Sequence, residues 1–210
     1  MRHRILNYAG WALILAGMVV LAYVGIQYVS RPSAVSPHWN ASQQKKGQAV
    51  QKTLNKNENA VPVPTKSRDI AAGTEPATRI VIPKIGVDAP IVETPPVNGV
   101  WNVANWAVGH LTTTANPGAH GNVALSAHDD IMGEIFKRID QLGPGDTVKL
   151  YTKSGVYTYV VVRQLVVDPS DVSVLDPTTK PTVTLISCTP YWVDTQRLVV
   201  QAQLQSAAAA

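Results

Sequence analysis

The feature that most restricts the fold is a series of short β-type runs from Arg79 onward. These runs are rich in valine, isoleucine and threonine, and Gly, Pro, Asn and Asp lie between them. Many short strands at close spacing are typical of barrels and sandwiches. We predict a mainly β domain over residues 78–205, folded as a closed or nearly closed eight-stranded barrel. The predicted strands are 79–83, 87–93, 103–108, 122–128, 146–152, 155–167, 182–188 and 197–204.

Two short helices are predicted within this domain, near 111–116 and at 131–140. In the second, Ile131, Ile135 and Ile139 recur at four-residue spacing, as on one face of a helix. The sequence contains no internal repeat, phosphate-binding glycine loop or metal-ligand spacing.

The N-terminal segment predicts a membrane anchor. No charged residue occurs in the 22 residues from Tyr8 to Val29, and a helix needs about 20 apolar residues to span a bilayer. A cleaved signal peptide has a shorter apolar region of about 7–15 residues. We therefore expect residues 1–30 to form a cytoplasmic tip and an uncleaved anchor. Arg2 and Arg4 favour a cytoplasmic N-terminus, which makes this a single-pass protein of the cell membrane with its domain outside.

Residues 31–77 are rich in proline and polar side chains, and we expect a flexible extracytoplasmic linker because so few apolar residues cannot offset the entropy of ordering. Residues 1–78 hold nine Lys/Arg against three Asp/Glu, whereas residues 79–210 hold nine against eleven. The basic excess therefore lies outside the folded domain, which argues against a nucleic-acid partner. Residues 206–210 are expected to form a tail.

The single cysteine, Cys188, ends a β-type run and precedes the turn signal Thr189-Pro190. Arg197 opens the next apolar run. A strand, a tight connection and a returning strand would bring the thiol and the guanidinium to one end of a sheet. A nearby cation favours the thiolate, which is the nucleophilic form. The alternative is a buried cysteine that acts as a small hydrophobic side chain.

Five histidines are candidates for a proton-transfer role. His3 precedes the predicted anchor, His38 lies in the linker, and His110 and His120 flank a Pro-Gly loop. His128 ends a predicted strand, which makes it the preferred candidate.

Strand alternation predicts where these side chains point. Arg197 falls on the face of its strand that carries Gln201 and Gln203, and His128 falls on the polar face of 122–128. Both are therefore expected on solvated faces. We also expect the Asp129-Asp130 pair beside the histidine to face solvent.

The pattern Thr184-Leu185-x-x-Cys188, with Arg197 downstream and a histidine at the end of an earlier strand, resembles the sortases. These cysteine transpeptidases join surface proteins to the cell envelope of mostly Gram-positive bacteria. The resemblance covers roughly residues 79–204, including Arg79 to Glu93 and Phe136 to Asp146. One departure is Ala127-His128-Asp129, where the family commonly reads Gly-His-Arg. The segment Ser36-Pro37-His38-Trp39 lacks the Asp of a pilus-type lid, so classes D and E are favoured over class C.

The resemblance implies a sortase-type barrel and assigns roles to three residues. Cys188 would be the nucleophile, His128 the proton donor and acceptor, and Arg197 the group that stabilises the oxyanion or holds the substrate backbone. It also implies substrate contacts from Thr184, Leu185, Ser187 and Trp192. Four aromatic residues are further candidates for the walls of a peptide groove, with core packing as the alternative: Trp101, Trp106, Tyr191 and Trp192.

The implied reaction cleaves an LPxTG-like sorting motif and transfers the acyl group to an amine. The expected partners are surface proteins with a C-terminal sorting signal, an amine acceptor such as a peptidoglycan precursor or a pilin lysine, and the cytoplasmic membrane. No cofactor is implied, and calcium dependence stays open. The alternative is a catalytically silent, membrane-tethered β-barrel that binds peptides or envelope partners.

Overall fold

A computed structural model describes residues 14, 17–22, 39–56 and 73–210. The chain divides into two units, residues 1–35 and residues 36–210. In the first unit the described residues are helical and exposed, and most of the predicted anchor, 8–29, lies outside the described residues. Within the part of the chain that is described, no helix combines the length and the hydropathy needed to cross a bilayer.

The second unit contains eight strands. Their bounds are β1 Arg79–Ile82, β2 Val87–Thr94, β3 Val108–Leu111, β4 Asn122–Ser126, β5 Thr147–Tyr151, β6 Gly155–Val167, β7 Thr182–Thr189 and β8 Gln196–Ala209. Around the barrel they follow the order β1-β2-β3-β4-β7-β8-β6-β5, and the sheet closes on itself. Two neighbouring pairs are parallel, β2 with β3 and β4 with β7, and the others are antiparallel. The prediction of a closed, mainly β barrel is confirmed.

The barrel interior follows the predicted alternation. Leu198, Val200 and Ala202 of β8 and Val123 and Leu125 of β4 all belong to the apolar core. The opposite face of β4 does not meet solvent, however. Asn122 and Ser126 are only 2% and 8% exposed, and the Asn122 amide donates hydrogen bonds to the carbonyls of Val174 and Asp176. The connection between β6 and β7 therefore covers this face, which alternation along a single strand cannot reveal.

Several local predictions are wrong in placement. The predicted strand 103–108 is instead β3, Val108–Leu111, and the predicted helix near 111–116 contains the end of that strand and a turn. The predicted helix at 131–140 is a series of turns that ends in the 3-10 helix Ile139–Gln141. Met132, Gly133 and Glu134 have positive φ angles of 47°, 95° and 48°, which a right-handed helix cannot contain.

The linker prediction is wrong for residues 39–56. Helix α1, Ala41–Lys56, lies against β6 and β8, and Trp39 is 3% exposed within the barrel's core cluster. The indole Nε1 of Trp39 donates a 3.0 Å hydrogen bond to the carbonyl of Leu142. The buried Trp39, with Val50 and Leu54 partly buried on the helix that follows, gives this largely polar segment apolar contact area.

A capping box starts helix α1. The Asn40 carboxamide oxygen accepts a 2.9 Å hydrogen bond from the Gln43 backbone N–H, and the Gln43 side-chain oxygen accepts a 3.0 Å bond from the Asn40 N–H. The pattern Asn40-x-x-Gln43 is a signal in the sequence that predicts this helix start. The predicted tail is also ordered in part, because Ser206 to Ala209 pair with Gly155 to Thr158 as the end of β8.

We predict that Gly47→Ala destabilises the protein. A Cβ at Gly47 would overlap the Trp39 ring and the Val162 carbonyl oxygen, and such overpacking typically costs about 1–3 kcal/mol. In an isolated helix the same change is stabilising by about 1 kcal/mol, so the sign of the change reports whether α1 is docked. The measurement is the free energy of unfolding, with Gln48→Ala on the exposed side of the helix as control. A stabilised Gly47→Ala protein would contradict the docked position of α1.

Candidate functional site

The pairing of β7 with β8 brings Cys188 and Arg197 together. They are direct partners in the antiparallel register of these strands, and residues opposite one another in such a pair project to the same face. Both side chains are half-buried. The sequence prediction that a strand, a tight connection and a returning strand unite the thiol and the guanidinium is confirmed.

The parallel pairing of β4 with β7 brings His128 to the same end of the barrel. Each residue of β4 pairs with a residue of β7, from Asn122 with Thr182 to Ser126 with Ile186. Beyond β4 the backbone N–H of Ala127 donates to the Ile186 carbonyl at 3.3 Å. Continuation of this register by two residues puts His128 at the level of Cys188. His128 is half-buried.

The other described histidines have structural contacts away from the cysteine. His110 is 2% exposed, its Nδ1 lies 3.0 Å from Oε1 of Glu93, and its Nε2 lies 3.0 Å from the Ala115 carbonyl oxygen. His120 places Nδ1 3.0 Å from the carbonyl oxygen of Thr179. His128 is thus the histidine that the strand register aligns with Cys188, as predicted.

A cluster of carboxylates surrounds the thiol, contrary to the expectation that Asp129 and Asp130 face solvent. Asp129 is only 4% exposed. One oxygen of Asp129, one oxygen of Asp194 and the Cys188 Sγ all lie within 4.8 Å of one another. Asp194 has a positive φ of 60° in the turn between β7 and β8, and that turn presents it to Cys188. Neither aspartate's position is visible from spacing along the sequence.

The electrostatic balance around Cys188 favours the thiol. Burial is the largest effect and raises the pKa of the Cys188 thiol, and Asp129, Asp194 and Asp130 raise it further, whereas Arg197 lowers it. The expected effect of Arg197 is present, but in the free protein burial and the carboxylates outweigh it. The thiolate must form against this balance, by proton transfer to a base such as His128 or by neutralisation of the carboxylates.

Arg197 is held by the backbone of the same turn. Its Nη1 donates hydrogen bonds of 3.1 Å to the Asp194 carbonyl and 2.9 Å to the Gln196 carbonyl. Among the described residues, Nε and Nη2 of Arg197 make no hydrogen bond, so these two donors can serve a substrate. The guanidinium is therefore oriented by one nitrogen and available through the others.

The exposed aromatic side chains lie on the loops around this end of the barrel. Trp106 is 69% exposed and Trp192 is 56% exposed. Tyr191 lies beside Trp192 with ring centroids 5.4 Å apart, and its hydroxyl is 3.2 Å from a carboxylate oxygen of Glu134. Core packing is thereby excluded for Trp106 and Trp192, which leaves them free to contact a peptide.

The predicted substrate contacts of Thr184, Leu185 and Ser187 are wrong. All three are buried, at 0%, 0% and 3% exposure. The Thr184 hydroxyl donates to the Asn122 side chain and the Ser187 hydroxyl donates to the Ala127 carbonyl. The Thr184 and Ser187 hydrogen bonds join β7 to β4 and its continuation, and thereby fix the strand that carries Cys188.

The donor atoms of Asp129, Asp194 and Cys188 have the spacing that a cation requires. Three donors are one fewer than a structural zinc site uses, and we assign no metal to this group.

We predict that Asp129→Asn stabilises the protein at pH 7.5 but not at pH 4.5. Burial, the largest effect, raises the pKa of Asp129 to about 6, above the usual value of about 4 for an unfolded chain. The stability that proton binding confers is therefore present below about pH 4 and is lost as the pH rises through about 6. The uncharged amide avoids this loss, which we expect to be about 1–3 kcal/mol at pH 7.5.

Thermal unfolding of both proteins at the two pH values measures this difference, with Asp88→Asn as a control for removal of an exposed carboxylate. If Asp129→Asn is no more stable than the wild type at pH 7.5, other interactions in the folded protein must stabilise the ionised carboxylate of Asp129.

Comparisons with known proteins agree with this geometry. A family model described as the sortase domain matches residues 80–205. Sortase SrtE1 of Streptomyces coelicolor is 34% identical over 131 residues, which are 57% of this chain but only 37% of the SrtE1 length. Sortase D of Bacillus subtilis is 27% identical over 183 residues, 85% of this chain and 87% of that protein.

Among solved structures, sortase E1 from Streptomyces coelicolor with a tripeptide in the active site has a TM-score of 0.57 and 30% identity, and the match covers 64% of this chain and 91% of that one. A Clostridium perfringens sortase D5 transpeptidase has a TM-score of 0.54 and 28% identity, with 79% of this chain and 100% of that chain covered. The family match spans more than half of the sequence, and the resemblance to classes D and E is confirmed. The chain belongs to the sortase family of cysteine transpeptidases.

Proposed function

We propose that this sortase cleaves an LPxTG-like sorting motif through a thioester on Cys188. The acyl group then passes to an amine of a cell-wall precursor or of a surface protein. The observation that carries the proposal is the convergence of Cys188, Arg197 and His128 at one end of the barrel, where β4, β7 and β8 are neighbours. A nucleophile, a cationic donor and a proton-transfer group are the parts that acyl transfer needs.

In the first half-reaction the Cys188 sulfur attacks the carbonyl carbon of a threonine-like residue in an extended peptide. The free donors of Arg197 bind the developing oxyanion or the neighbouring peptide carbonyl. His128 protonates the amine of the leaving fragment as the C–N bond breaks. The product is a thioester between the peptide and Cys188.

In the second half-reaction an amine attacks the thioester carbonyl, a new C–N bond forms, and the C–S bond breaks. His128 accepts a proton from the attacking nitrogen and returns it to the sulfur. Water competes with the amine, so slow hydrolysis accompanies transfer. Two half-reactions with a covalent intermediate predict ping-pong kinetics.

The proposal includes anchoring in the cell membrane with the barrel outside the cytoplasm. It is supported by the uncharged run from Tyr8 to Val29 and by the position of Arg2 and Arg4 before it. Surface proteins with a C-terminal sorting signal would meet the barrel on that side.

We predict that wild-type protein forms a peptide adduct on Cys188 with a fluorescent LPxTG-type peptide, and that Cys188→Ala forms none. His128→Ala should lose at least about 10²-fold in cleavage rate, because a general acid or base typically contributes 10²–10⁴-fold. Intact-mass spectrometry of acid-quenched reactions measures the adduct.

His120→Ala is the matched control and should keep most of its turnover, since the one hydrogen-bond partner of His120 among the described residues is the carbonyl of Thr179. An inactive His120→Ala protein with active His128→Ala would refute the choice of histidine. A folded wild type that binds such peptides without any adduct would favour the alternative, a silent peptide-binding barrel.

We predict that Arg197→Lys and Arg197→Ala each lose at least about 10²-fold in transpeptidation, the usual cost of removing one oxyanion donor. Lysine keeps the charge but loses the planar set of donors. Rates and melting curves of both variants test this prediction. Nη1 also donates to the carbonyls of Asp194 and Gln196, so Arg197 could have a structural role as well. A Lys variant with the wild-type rate would show that Arg197 contributes only its charge. An unfolded Ala variant would show that the side chain is needed for folding.

A further inference from the structure

The carboxylates beside Cys188 outnumber the cations there. Asp129, Asp130 and Asp194 all act on the thiol, and Arg197 is the one cation among the groups that do so. Burial raises the pKa of the Asp194 carboxyl, and the nearby Asp130 raises it further. The sequence predicted the arginine at this site but not the burial of Asp129 beside the thiol.

Two of these carboxylates have unused acceptor atoms. Oδ1 of Asp129 and Oδ1 of Asp194 are buried and have no hydrogen-bond partner among the described residues, and the Asp129 side chain as a whole is only 4% exposed. A buried carboxylate oxygen without a partner costs free energy. Asp129 also opposes formation of the thiolate. It thus benefits neither the stability of the free protein nor the nucleophile, and its unsatisfied oxygen points to a ligand with donors.

We propose that Asp129, Asp194 and Asp130 form the acceptor site, which binds the amine substrate as a primary ammonium ion next to the thioester, and that the Asp129 carboxylate takes the ammonium proton. The proposal rests on the proposed function, since it names the group that binds the amine of the second half-reaction.

The chemistry of an ammonium ion matches this site. It carries one positive charge and three N–H donors, and charge-assisted hydrogen bonds to carboxylates are among the strongest in proteins. The spacing of at most 4.8 Å between the two carboxylate oxygens and Sγ places a nitrogen bound between them beside the carbonyl carbon attached to that sulfur. Arg197 does not satisfy these oxygens, because its hydrogen bonds among the described residues go to the Asp194 and Gln196 backbone carbonyls.

The proton balance of the step requires two acceptors. The ammonium first loses one proton to the Asp129 carboxylate, which yields a neutral amine and a carboxylic acid. The amine nitrogen attacks the thioester carbonyl, its second proton passes to His128, and the C–S bond breaks to release the thiolate. The imidazolium then protonates the sulfur, and Asp129 loses its proton to solvent. The groups that face Asp129 during these changes are Asp130, Asp194, Arg197 and Cys188.

The charge of the site can be tested without any sorting peptide. We compare the rates at which the full-length protein reacts at Cys188 with cationic 2-aminoethyl and anionic 2-sulfonatoethyl methanethiosulfonate, in the presence of a chelator. A change in the thiol pKa alters both rates by the same factor and therefore does not affect their ratio. We expect the ratio of the cationic to the anionic rate to be well above that of an unstructured cysteine peptide. It should decrease about fivefold in Asp129→Asn and in Asp194→Asn, because each variant removes one negative charge near the thiol.

Asp88→Asn is the matched control, because it removes an exposed carboxylate that pairs with Arg79 on the opposite strand; its ratio should equal that of the wild type. Equal ratios in the wild type, Asp129→Asn and Asp194→Asn would overturn the acceptor site, whatever the protein does with a sorting peptide.

The transfer step is tested with two nucleophiles on the peptide thioester. Propylamine is cationic at neutral pH, whereas hydroxylamine is largely uncharged. In Asp129→Asn, we expect the ratio of aminolysis to hydrolysis to fall at least about tenfold with propylamine and to change little with hydroxylamine, because only the first must lose an ammonium proton. An equal fall with both nucleophiles would overturn the proton-acceptor role. A charge preference at Cys188 in a protein that never forms a peptide thioester would support the cation site and refute the proposed function.

Discussion

The antiparallel pairing of β7 with β8 is the constraint on which the site depends. It sets Cys188 opposite Arg197, and the turn that it requires, Pro190 to Thr195, carries Asp194 back toward the thiol. Asp194 of this turn and Gln196, the first residue of β8, supply the carbonyls that hold the guanidinium. One hairpin thus positions the thiol, the guanidinium and one carboxylate, whereas the parallel pairing of β4 with β7 positions His128 and Asp129.

The pKa of the Cys188 thiol is set by opposing effects. Burial and three aspartates raise the pKa of the thiol, and a single arginine lowers it. A protein selected only for a reactive thiolate would not place buried carboxylates there. In the proposed acceptor site the same carboxylates have a use, because an amine substrate is a cation that must lose a proton before it attacks. Side chains that lower stability but serve the reaction are typical of functional sites.

Residues 39–56 form a largely polar segment that is nevertheless packed against the barrel. Trp39 inserts into the barrel core and is followed by a capped helix whose Gly47 allows close approach to Val162. Hydrophobic content summed over residues 31–77 predicts a flexible linker, because the sum averages one tryptophan over many polar residues. The capping pattern Asn40-x-x-Gln43 next to that tryptophan is the local signal of order.

The barrel, most of its strands and the placement of Cys188, His128 and Arg197 at strand ends could be predicted from the amino-acid sequence. These features depend on local alternation and on strand ends, which neighbouring residues specify. The family motif around Cys188 added the roles. The tertiary structure alone decided which polar residues are buried. Thr184 and Ser187 bond to β4 and cannot reach a substrate, the polar face of β4 is covered by a distant connection, and Asp129 is enclosed beside a thiol that lies 59 residues further along the chain. Burial and the pKa values that follow from it depend on contacts between segments remote in sequence, and no periodicity within one segment encodes them.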